Sequence, residues 1–191
     1  MSNGPYTDPS TGVLINRLGI SDSDELSQAE ADLTYLMLAR LETRSLPGKY
    51  DLAHLQAFHK AIFGDIYPWA GELRTVVIAK GRHFCLPQYI QSISDEIFRN
   101  LFRERYLRRL ERHEFVERLT FYLGEVNAIH PFREGNGRTQ RAFFGQLARD
   151  AGFTINWHGL DADRNREASI ASMLGDPEPM LRLLNELVEP A

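Results

Sequence analysis

The chain has one cysteine in 191 residues, Cys85. A single thiol excludes an internal disulfide framework and suits a reducing compartment. No uninterrupted apolar run approaches the roughly 20 residues of a membrane-spanning helix. The opening Met1-Ser2-Asn3-Gly4-Pro5-Tyr6-Thr7-Asp8-Pro9 lacks the basic and apolar regions of a secretory signal. The expected location is therefore the cytoplasm, with no membrane partner. His54, His59, His113 and His158 show no zinc-ligand spacing, and His83 with Cys85 supplies only two ligands. Positive charge is also short: the formal net charge is −4, which argues against direct nucleic-acid binding. The arginine-rich stretch Arg99, Arg103, Arg105, Arg108, Arg109 and Arg112 is interleaved with Glu96, Glu104, Glu111, Glu114 and Glu117, and reads as a solvated, ion-paired helix face. There is no internal repeat and no low-complexity block.

What is present suits one domain: 43% of the residues are hydrophobic, enough for a substantial core at this length. Residues 1–12 read as a flexible tail, rich in Pro, Gly and Ser, and residues 13–191 as a single domain. Apolar residues recur at helical spacing through Leu26, Leu33, Met37 and Leu41, after a capping start at Ser21 and Asp24. Asp51 opens a second helix that Gly64 ends. Further helices are predicted over 89–112, from Phe115 up to His130, from the glycines after it to Gly152, and over 161–174 and 177–188. Residues 73–78 are rich in β-branched side chains, and a turn at Lys80-Gly81 with a return through His83, Phe84 and Cys85 predicts a hairpin.

The informative segment is His130-Pro131-Phe132-Arg133-Glu134-Gly135-Asn136-Gly137-Arg138-Thr139-Gln140-Arg141. An imidazole titrates near neutrality and suits proton abstraction from a hydroxyl, which makes His130 a candidate base. Glu134 is a hard oxygen ligand beside a Gly-Asn-Gly turn, the company in which Mg²⁺ is held by one carboxylate and substrate phosphates. The backbone amides of Gly135, Asn136 and Gly137 at a helix start form an anion nest. Arg138 and Arg141 fall in the first turn, where the helix dipole disfavours cations unless an anion joins them. Phe132, between polar neighbours, is expected to anchor the loop in the core. Trp157 is expected to fill the core rather than contact a nucleotide base.

This run resembles the signature of Fic domains, His-x-Phe-x-(Asp/Glu)-Gly-Asn-Gly-Arg-x-x-Arg, with every specified position filled. The resemblance extends through Ile66-Tyr67-Pro68-Trp69-Ala70-Gly71-Glu72-Leu73-Arg74 and through Lys80-Gly81 with Phe84, which look like the family's approach to its flap. It implies an all-α Fic-fold helical bundle with one short β-hairpin flap. It also implies a protein AMP transferase, which moves AMP from ATP to a target hydroxyl and releases pyrophosphate. The same resemblance makes His130 the base and Glu134 the Mg²⁺ ligand. Gly135, Asn136, Gly137, Arg138 and Arg141 become the phosphate site, and Ile78, Lys80 and Gly81 the flap that docks the target. A Doc-like protein kinase is the alternative, disfavoured because Gly137 stands where those kinases carry lysine. A non-catalytic Fic-fold binding module is a further alternative, disfavoured by the intact His130, Glu134 and arginines.

Regulation by resemblance uses a Ser/Thr-x-x-x-Glu-Gly/Asn helix whose glutamate pairs with the second signature arginine. Neither Ser21 to Leu26 nor Ser92 to Ile97 completes that pattern. The expectation is a small separate antitoxin that supplies the glutamate to Arg141. This describes a bacterial toxin acting on type II topoisomerases, DNA gyrase and topoisomerase IV.

Overall fold

A computed structural model describes residues 4–80 and 82–191. Helix α1 (Ser23–Thr43) starts at Asp22, whose side chain accepts from the Asp24 and Glu25 amides, so the cap lies between the two residues expected from sequence. Helix α2 (Leu52–Phe63) is capped by Asp51 and ends at Gly64, as the sequence predicts. Strands β1 (Ala79–Lys80) and β2 (Arg82–His83) pair antiparallel as the hairpin. There follow α3 (Ile90–Arg103), α4 (Arg112–Ile129), α5 (Asn136–Ala151), β3 (Phe153–Ile155), α6 (Ala162–Met173), α7 (Glu178–Leu187) and β4 (Val188–Pro190).

Helix α5 is packed by α1, α2 and α4, while α6 and α7 pack against α4 and against each other. Its Phe143, Phe144, Leu147 and Ala148 are fully buried. Because a buried Phe or Leu contributes roughly 2 kcal/mol, this row fixes the helix that begins at the signature loop.

Three expectations need correction. The helix predicted over 89–112 breaks after Arg103: Arg105, Tyr106, Leu107 and Arg109 are left-handed. The break is held by tertiary contacts, since Arg118 grips the Glu104 carboxylate at 2.6 and 2.7 Å, Tyr122 donates to it at 2.8 Å, and Leu107 is fully buried. The tail is also packed from Gly4 onward. Tyr6 is buried, meets Trp69 edge-on at 5.4 Å and accepts from the Thr75 amide at 3.0 Å; residues 1–3 lie outside the described residues. Beside the flap there is a second small sheet, β3 against β4, which pairs Ile155 with Val188 and fastens the C-terminal strand to the end of α5.

Candidate active site

Pro131 ends α4, and His130 caps it in the left-handed region at φ 48° and ψ 64°. A non-glycine residue there costs about 1–2 kcal/mol. The offset comes from Arg74, the last residue of the segment leading to the flap, to which the sequence assigns no role of its own. Its guanidinium, 2% exposed, donates to the carbonyls of His130 at 2.7 Å, Ile129 at 3.1 Å and Val76 at 2.8 Å, and to that of Cys85. Its own amide donates to Pro131 O at 2.9 Å. Two of these carbonyls belong to the end of α4 and two flank the flap. Burial holds the Arg74 pKa below its ordinary value.

The His130 ring lies parallel to Phe84, centroids 3.9 Å apart at 15°. Its Nδ1 is 3.2 Å from Asn127 O. A carbonyl only accepts, so Nδ1 carries the hydrogen and points away from the second nitrogen, Nε2.

The loop after Pro131 is built from inside. Phe132 is 1% exposed and stacks on His59 at 4.0 Å, in the core as its setting predicts. The Asn136 side chain closes the turn, accepting from Phe132 N at 2.9 Å and donating to Phe132 O at 2.8 Å. It is therefore spent on loop shape, and Asn136 faces the exterior of the loop through its amide. His59 takes the Gly71 amide on Nδ1 at 2.8 Å and donates from Nε2 to Glu134 O at 3.0 Å. Burial pushes its pKa down to about 4, so it stays neutral. Gly135 has φ 77°, and a Cβ there would lie 2.2 Å from the Phe63 ring; only glycine fits.

The first-turn amides of α5 have no carbonyl one turn back and are free to meet an anion. That of Gly135 is taken by Glu134 Oε1 at 3.0 Å. The two arginines differ. Arg138 is ion-paired with Glu30, donates to Thr34 at 3.1 Å and lies 4.9 Å over Phe63, while Tyr67 shares the Glu30 carboxylate. Its conflict with the helix dipole is thus resolved inside the chain, a pairing across 108 residues that sequence spacing does not expose. Arg141 has no carboxylate partner among the described residues. Desolvation, with Arg138 beside it, lowers its pKa.

A cavity of about 660 Å³ runs from this loop between α4, α5, α6 and α7. His130, Glu134, Gly135, Gly137 and Arg141 line one end; Trp157, Leu160, Ile170, Met173 and Met180 line the other. Trp157 is half-buried, packed against the edge of the core and also on the cavity wall, and its buried Nε1 has no hydrogen-bond partner among the described residues. A second cavity of about 420 Å³ lies against the flap and shares Phe84, His130, Glu134 and Asn136 with the first. Ile78 lines it and Lys80 lies in β1; Gly81 is outside the described residues. The expected strand over 73–78 is instead irregular backbone, because its polar groups are engaged by Arg74 and Tyr6.

His130 thus stands where the two cavities meet, beside the N-terminus of α5. Residues 49–148 match the Fic/DOC family, and the chain belongs to it. It is 45% identical to protein adenylyltransferase VbhT of Bartonella schoenbuchensis over 96% of this chain, though it spans only 38% of that protein. It is 37% identical to the probable protein adenylyltransferase Fic of Salmonella typhimurium, over 98% of this chain and 93% of that one. The fold superimposes on the N-terminal Fic domain of a VirB-translocated Bep effector from Bartonella quintana with bound ADP. The TM-score is 0.92 at 29% identity, covering 97% of this chain and 94% of the other. The helical fold with its hairpin flap agrees with the expectation from the signature.

Proposed function

We propose that this chain is a protein adenylyltransferase that moves AMP from ATP to a hydroxyl side chain of a target protein and releases pyrophosphate. The observation that carries the reading is the position of His130 between the two cavities. The names of the relatives and the ADP of the Bartonella quintana domain support it.

In the transfer, the target oxygen attacks the α-phosphorus while the bond from that phosphorus to the oxygen bridging to the β-phosphate breaks. The hydroxyl proton passes to Nε2 of His130, and the electron pair leaves on pyrophosphate. The amides of Asn136, Gly137 and Arg138 meet the charge on the phosphoryl oxygens, and Arg141 meets the outer phosphates. Arg138, neutralised by Glu30, reinforces the wall behind them. The apolar end at Trp157, Leu160 and Ile170 receives the adenine.

Magnesium suits the donor set. Glu134 is a single carboxylate on the cavity wall, and no cluster of three or more ligating side chains exists among the described residues. One carboxylate plus substrate phosphates and water is the usual Mg²⁺ arrangement. Bound there, the ion supplies charge neutralisation for the triphosphate.

The flap around Ile78, Lys80 and Gly81 holds the target through main-chain pairing along its edge. By kinship with stand-alone toxins of the family, the chain is a cytoplasmic bacterial toxin acting on DNA gyrase and topoisomerase IV. Its separate antitoxin supplies a glutamate to Arg141; the desolvated guanidinium without a carboxylate supports that contact.

ATP labelled on the α-phosphate, incubated with purified gyrase and topoisomerase IV subunits, tests the reading. Labelled subunits are expected. Transfer of a γ-phosphate label instead would establish the kinase, and no transfer of either label would leave a binding module. Addition of the antitoxin should abolish labelling, and an Arg141→Ala variant should lose affinity for it.

A further inference from the structure

The second cavity has a wall that the flap does not provide. Beside Val76–Ala79 of the flap segment it is lined by Gly4, Thr7 and Gly12, and the loop packs on that segment, where a Cβ at Gly4 would lie 2.9 Å from Val76 Cγ1. That N-terminal loop is fixed, not loose: Asp8 N donates to Val13 O and Gly12 N to Asp8 O, each at 2.8 Å, and Tyr6 ties it to Thr75. The flap segment contributes apolar side chains and the loop small residues, and among the described residues the charged side chains in the lining are Arg133 and Glu134, next to His130.

Arg133 occupies a position that the family signature leaves unspecified. It is half-buried and forms no ion pair with a carboxylate among the described residues. Glu134, its neighbour, lines both cavities and is engaged by the Gly135 amide at 3.0 Å rather than by Arg133. A half-buried cation that forms no ion pair among the described residues favours an anionic side chain from whatever enters. In an extended segment, side chains two residues apart share a face. When the acceptor hydroxyl faces His130, the side chain that faces the same side is two positions away.

We propose that Arg133 is a specificity-determining residue: the cleft between the flap and the N-terminal loop selects target segments that carry Asp or Glu two residues from the modified hydroxyl. This rests on the AMP-transfer reading. The carboxylate would pair with the Arg133 guanidinium.

The test labels a bacterial lysate with α-labelled ATP, using the parent chain, Arg133→Glu and Arg133→Gln, and maps each modified residue by mass spectrometry. ATP affinity, measured by calorimetry, checks that the variants are folded and nucleotide-competent. The expected result is enrichment of Asp or Glu at the second residue on either side of the sites modified by the parent, of about fivefold, the upper range of a partly exposed ion pair. Arg133→Gln should lose the bias, and Arg133→Glu should shift it to Lys or Arg, with ATP affinity unchanged in both. Sites without the carboxylate, or an identical set of sites with Arg133→Glu, would overturn the proposal while leaving AMP transfer intact. If the parent binds ATP and labels nothing, the transfer reading fails and the proposal falls with it.

Discussion

Arg74 and His130 are joined through backbone, not through their rings: Arg74 Nε donates to the His130 carbonyl at 2.7 Å, and the same guanidinium reaches both sides of the flap. One side chain thus ties the left-handed cap that carries the imidazole to both ends of the flap segment. The register between base and flap depends on a planar fork of donors that lysine cannot reproduce. Arg74→Lys should therefore lower stability by about 2–4 kcal/mol, the range for a broken buried charged hydrogen-bond set. Urea unfolding gives the stability. Initial rates should show a larger loss in target KM than in ATP affinity; equal losses would mean that Arg74 only supports the fold.

His130→Ala removes the proton acceptor but leaves the α5 amides and Arg141 in place. AMP transfer should fall by at least about 100-fold, the usual worth of a general base. Calorimetry should find ATP affinity within severalfold of the parent. Labelling at the parent rate would remove His130 from the mechanism.

Arg141→Ala should act in two directions. It removes a desolvated cation that has no carboxylate partner among the described residues, so thermal unfolding without nucleotide should shift up or stay level. ATP should bind roughly 10- to 100-fold more weakly, the loss of one or two charged hydrogen bonds. A fall in Tm with unchanged ATP binding would assign Arg141 to the fold instead.

Glu134→Ala should flatten the dependence of transfer on added Mg²⁺ as well as slow it, because no other carboxylate of the loop replaces it. The rate is followed across a magnesium titration. A curve of unchanged midpoint would place the ion on the phosphates alone.

His59 makes the loop acid-sensitive. Its folded pKa of about 4 lies below the roughly 6.5 of an unfolded histidine, so as pH falls below that value the unfolded chain binds a proton that the folded chain refuses. Stability is full above about pH 6.5 and declines progressively to pH 4, by up to ~3 kcal/mol. His54, also lowered by burial, acts in the same direction. Denaturant unfolding between pH 7 and pH 4 measures this. In His59→Phe, which keeps the stack on Phe132 but cannot titrate, the slope should be shallower and Glu134 less well held.

The sequence by itself determined the parts whose chemistry is local. Gly135 demands positive φ, Pro131 ends a helix, and a base, a carboxylate and a nest within one turn remain neighbours in any fold that keeps the turn. The starts and ends of most helices were readable for the same reason, because caps and breakers act within a few residues. Tertiary structure decided what depends on distant partners. Glu30 neutralises Arg138 from 108 residues away, Arg74 grips carbonyls on three segments, and Arg118 and Tyr122 unwind the chain after Arg103. It also separated the two signature arginines, one paired and one left facing a cavity. Spacing along a chain fixes which groups are near in sequence, whereas the charge a group finally meets is set by the helices that pack against it.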